Sequence, residues 1–84
     1  MARHWRSAIL KRYRNLSGDS GVTDYEIGVD YIRVRFEDGR IYVYDHRRPG
    51  QHYVDEMKSL AVAGRGLSTY ISQHARKGYA RKER

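Results

Sequence analysis

One hairpin constrains this chain more than any other feature of it. Tyr31-Ile32-Arg33-Val34-Arg35-Phe36 alternates apolar and basic residues, Ile41-Tyr42-Val43-Tyr44 follows, and Glu37-Asp38-Gly39-Arg40 lies between them. Period-two alternation on both sides of an Asp-Gly turn predicts two antiparallel strands joined by a tight loop. Two registers satisfy that pattern. A two-residue Asp38-Gly39 turn pairs Arg35 with Tyr42 and Arg33 with Tyr44, which puts both tyrosines on an open face with Arg33, Arg35 and Arg40. A three-residue Glu37-Asp38-Gly39 turn, with Gly39 left-handed, pairs Val34 with Tyr42 and Ile32 with Tyr44 and makes the tyrosines core. The first arrangement is a stacking platform for single-stranded nucleic acid, with guanidinium groups beside the rings for phosphate.

The rest of the chain reads around this hairpin. Trp5, Ala8, Ile9, Tyr13 and Leu16 recur three and four apart, so residues 1–16 are expected to form an amphipathic basic helix. A Ser/Gly/Asp linker follows, and then Val22 to Ile27 as a first strand. Pro49 suits the first turn of a helix. Tyr53, Val54, Met57, Leu60 and Ala61 carry that helix to a stop at Gly64. Ser68 is the expected cap of a second helix striped by Leu67, Tyr70, Ile71, His74 and Ala75 and ended by Gly78. The expected fold is α+β: a three-stranded antiparallel sheet with a central hairpin, two short helices on one face, and a basic helix in front. Three segments are expected: residues 1–16, a domain over 20–78, and a basic tail over 79–84.

Charge divides along the same lines. The net charge of +7 is carried by Arg3, Arg6, Lys11, Arg12 and Arg14 at one end and by Arg76, Lys77, Arg81, Lys82 and Arg84 at the other. The middle of the chain is slightly acidic. Basic ends of this kind hold polyanions by counterion release. The chain has no cysteine, which excludes a disulfide framework, a thiolate zinc site and a cysteine nucleophile. No run approaches the ~20 apolar residues of a membrane span, and the apolar stretch near the N-terminus is too short for a signal peptide. A cytoplasmic location is the expectation.

The run Ile32-x-Val34-x-Phe36-x-x-Gly39-x-x-Tyr42-x-Tyr44 resembles the centre of the KTSC domain, a family named after the C-terminal region of some lysyl-tRNA synthetases. Tyr25, Pro49, Tyr53, Gly64, Leu67, Ser68 and Ile71 fall at similar spacing, so the likeness spans about residues 20–75. The resemblance implies one α+β domain, favours the three-residue turn, gives Tyr42, Tyr44, Gly39 and Gly64 a structural part, and leans towards RNA.

Other candidates are weaker. Gly64-Arg65-Gly66 before Ser68-Thr69 has the form of an anion-binding nest, but also of a plain helix–helix turn. His52 and Glu56 share a helix face without a third metal ligand. His46 reads as surface, and His74, on the apolar stripe, as core. No nucleophile and base can be paired, so neither catalysis, a cofactor nor a metal is expected. The expected function is a small non-enzymatic nucleic-acid-binding module, RNA rather than DNA. Its candidate contacts are the ten terminal cations together with Arg33, Arg35, Arg40 and Arg65. The alternative is a protein–protein interaction module, which salt dependence separates from the first.

Overall fold

The computed structural model describes residues 10–16, 18 and 21–83. Strands β1 (Lys11–Arg12), β2 (Val22–Ile27), β3 (Tyr31–Phe36), β4 (Ile41–Asp45) and β5 (Arg81–Lys82) form one antiparallel sheet in chain order. Helix α1 (Gln51–Ala63) and helix α2 (Leu67–Tyr70), which runs on into a wider π turn at Ile71–Ala75, follow β4. The α+β class and the three central strands agree with the sequence reading. The sheet is wider than expected, because a two-residue strand is added at each edge.

The hairpin takes the three-residue register. Phe36 N–H donates to Arg40 O at 2.9 Å, Gly39 N–H donates to Phe36 O at 2.8 Å, and Gly39 has φ 90°. That bulge geometry pairs Ile32 with Tyr44 and Val34 with Tyr42. Ile32, Val34 and Tyr44 therefore face the helices and are almost fully buried, against Val54, Met57 and Ala61 of α1 and Leu67, Ile71 and Ala75 beyond it. Tyr42 is on the same face but nearer the sheet end, and is half-buried. The two-residue register, with its Tyr42/Tyr44 platform beside Arg33 and Arg35, is thereby excluded.

The expected N-terminal helix is not formed over residues 10–16; the rest of that segment, with Trp5, Arg3 and Arg6, lies outside the described residues. Lys11 and Arg12 pair with Tyr25 and Asp24, and Tyr13 N–H continues the ladder to Thr23 O at 2.8 Å. Tyr13 is 3% exposed, and its hydroxyl accepts the buried Leu67 N–H at 3.2 Å. Arg14 Nη2 donates to Val62 O at 2.7 Å and Ala63 O at 3.3 Å, supplying charged donors to carbonyls left over at the end of α1. Leu16 N–H reaches Gly64 O at 2.7 Å. This segment is a strap across the helix terminus, and the strap accounts for Gly64. At φ +80° a side chain is disfavoured there, and a Cβ would lie 2.9 Å from Arg14 Cβ. Tyr13→Phe leaves the buried Leu67 N–H without its acceptor and is expected to cost about 1–3 kcal/mol. A lowered urea midpoint at unchanged slope would show it; an unshifted midpoint would contradict it.

Four smaller expectations are corrected. Pro49 lies ahead of the helix, which begins at Gln51 after Gly50, whose φ of 120° suits glycine. The second helix is preceded by left-handed Gly66 and has no side-chain cap, so Ser68 sits inside it. The π turn inserts extra arc, which keeps Ile71 and Ala75 inward while His74 becomes exposed and packs on Tyr70, with ring centroids 4.6 Å apart. His46 is half-buried: its amide donates to Asp30 O at 3.1 Å, and its Nε2 is enclosed without a hydrogen-bond partner.

Candidate nucleic-acid interface

Between the turn end of the hairpin and the second helix lies a groove of about 580 Å³. Its floor is aromatic. Phe36 and Tyr42 meet edge to face with centroids 5.8 Å apart, and Tyr79 lies over Tyr42 at 4.7 Å. All three rings are half-buried, so each keeps surface for a ligand. Tyr44 forms the deep end. Its hydroxyl pKa is raised by burial, with the neighbouring Tyr42 and Tyr79 hydroxyls adding to the shift. Arg40, Arg76 and Lys77 rim the groove, with Ser68 and Ser72 beside them and Glu37 and Asp38 on the hairpin side. Arg40 Nε is 3.3 Å from Asp38, whereas Arg76 and Lys77 form no ion pair among the described residues. Lys82 pairs with Tyr42 across β4 and β5 and so leaves the sheet on the groove side.

The local sequence explains this assembly. The bulge at Gly39 turns Phe36 and Tyr42 to the helix side. The chain leaves the π turn through Gly78, where a Cβ would stand 3.2 Å from Pro49 Cβ. Tyr79 follows, then Ala80 N–H donates to Val43 O at 2.7 Å and β5 joins the sheet. Residues 79–83 are therefore not a loose tail; Arg84 lies outside the described residues.

The other predicted cations are scattered. Arg33 and Arg35, with the other side of Arg40, border a second hollow of about 690 Å³ on the far face with Leu10, Ile41 and Glu83, without an aromatic ring. Arg33 binds Glu26 at 2.6 Å and Glu83 at 2.8 Å, and Arg35 lies 3.9 Å from Asp24. Desolvation lowers the Arg33 pKa, but hydrogen bonds to Glu26 and Glu83 outweigh it and the net shift is upward. Burial likewise raises the pKa of Glu83, and the Arg33 and Arg81 hydrogen bonds reverse that and hold it below the ordinary carboxylate range. Lys11 and Arg12 stand at the opposite sheet edge, and Arg14 is occupied with α1. Gly64-Arg65-Gly66 is a turn whose following amide, Leu67 N–H, is already taken by Tyr13. Arg65 is exposed, away from the groove.

The groove thus unites Arg40, Arg76, Lys77, Tyr42 and Tyr44 of the candidates read from sequence. Ser68, read as part of the Gly64–Thr69 turn, also lines it, whereas Phe36, Tyr79 and Ser72 were not among the candidates. A signal for Tyr79 is present in the sequence: it sits between Arg76-Lys77 and Arg81-Lys82, an aromatic ring interleaved with basic pairs. Among the described residues no group of three His, Asp or Glu side chains is placed to hold a metal ion, and no helix is long and apolar enough to cross a membrane. Comparison of the chain with protein-family models, with curated proteins and with solved structures finds no match.

Proposed function

We propose that this protein is a non-enzymatic module that binds single-stranded RNA in the groove between β3–β4 and the second helix. The observation that carries the reading is the Phe36–Tyr42–Tyr79 ring cluster beside Arg76 and Lys77, which have no counter-ion among the described residues. Rings accept any base by stacking, and exposed cations gain from a phosphate what an ion-paired cation does not. Arg40 and Lys82 extend the positive rim. The resemblance of residues 20–75 to the KTSC domain favours the same reading. Such a site has little base selectivity, because stacking dominates it.

Tyr79→Ala tests the proposal. The ring is half-buried and packs against the core without being part of it, so the variant is expected to stay folded by circular dichroism. It should bind a short labelled oligouridylate about tenfold more weakly, the effect of one lost base stack. Unchanged affinity would remove the groove as the site. Association with a protein partner that is insensitive to salt would favour an interaction module instead.

A further inference from the structure

We infer that the Arg33–Glu83 ion pair on the far face of the sheet is a clasp that holds β5 and thereby positions Tyr79 in the groove. Its consequence for RNA rests on the reading above. Strand β5 has two paired residues, both exposed, so little buried apolar area holds it to the sheet. What holds it is polar. Ala80 N–H and Glu83 N–H donate to Val43 O and Ile41 O, each at 2.7 Å. Around the second of these, Arg33 Nε and Nη2 both donate to Glu83 Oε1, at 3.0 and 2.8 Å, and Arg81 Nη2 donates to Oε2 at 3.1 Å. Glu26 binds the other side of the same guanidinium at 2.6 Å.

The alternating series Glu26–Arg33–Glu83–Arg81 therefore ties β2, β3 and β5 together. Arg33 and Glu83 are largely screened from solvent, with side-chain exposures of 14% and 26%, which makes the pairing stronger than an isolated surface bridge. Tyr79 is two residues ahead of Arg81, and its path is fixed on one side by Gly78 against Pro49 and on the other by this clasp. Arg33 acts on the groove without lining it. It is a positioning residue, not an RNA contact.

Glu83→Gln is the informative variant, because it removes a negative charge. A purely electrostatic effect would tighten RNA binding; loss of the clasp weakens it. In the free full-length protein, Glu83→Gln should weaken the Tyr42–Tyr79 ring NOE and speed hydrogen exchange at the amides of Ala80 and of position 83, with the Val34 amide unchanged. With labelled oligouridylate, affinity should fall about three- to tenfold, a part of one stacking contact. The same change in a Tyr79→Ala background should cause no further loss. An unaltered NOE and exchange pattern, tighter binding, or an equal loss in the Tyr79→Ala background would each overturn the clasp. A loosened ring with RNA affinity unchanged in both single variants would support the clasp and overturn only the groove as an RNA site.

Discussion

Tyr44→Ala is expected to leave the protein close to unfolded, while Tyr42→Ala stays folded and loses RNA. The two tyrosines are two residues apart on one strand face, but their surroundings differ. Tyr44 is 1% exposed and sits opposite Ile32, among Val34, Val54 and Met57. Replacing it with alanine opens a large cavity in a closely packed centre, which costs about 3–5 kcal/mol. A chain of this size has roughly 5–10 kcal/mol to lose. Tyr42 is half-buried between Phe36 and Tyr79, so truncation exposes a groove wall and is expected to cost about 1–2 kcal/mol. It also removes the middle ring of the cluster, with about tenfold lower affinity for single-stranded RNA. Urea denaturation followed by circular dichroism, with RNA titration of whichever variants fold, checks both halves. Equal destabilisation by the two substitutions would contradict the division between core and groove.

That division was only half legible in the sequence. The alternation of Tyr31–Phe36 and Ile41–Tyr44 names two strands, and which of two turns joins them is decided by one backbone angle at Gly39. Helix α1 was legible for the opposite reason: five apolar residues at helical spacing and a terminal glycine leave no competing period. Tyr13 and Leu16 also fit a helical stripe, and there the spacing misleads. A two-residue edge strand carries no periodicity of its own, and what places Tyr13 is its reach to Leu67 N–H and Thr23 O, contacts invisible to any local window. His74 was misplaced because the stripe assumes 3.6 residues per turn, and the chain widens there to a π turn. The groove was hardest to see, since Phe36, Tyr42 and Tyr79 come from three elements that meet only once β5 has added to β4.

The location of binding, as distinct from its charge, is tested by moving the same charge change across the sheet. Arg76→Glu with Lys77→Glu alters the net charge by as much as Lys11→Glu with Arg12→Glu. All four side chains are exposed, so neither pair should disturb the core. The first pair rims the aromatic groove; the second lies on β1, at the other edge of the sheet. If RNA is held in the groove, reversal at 76 and 77 removes two charge-assisted contacts and introduces two repulsions. Affinity at physiological salt should then fall by about a hundredfold or more. The slope of log affinity against log salt should become shallower by about 1.4, two phosphates at ~0.7 each for a single strand. Reversal at 11 and 12 should lower affinity less and leave the slope nearly unchanged, because it acts at a distance and is screened within about 10 Å at ordinary salt. Fluorescence anisotropy across a salt series measures all of these. Equal losses from the two variants would mean that RNA responds to total charge, and that the rings beside Arg76 and Lys77 do not define its site.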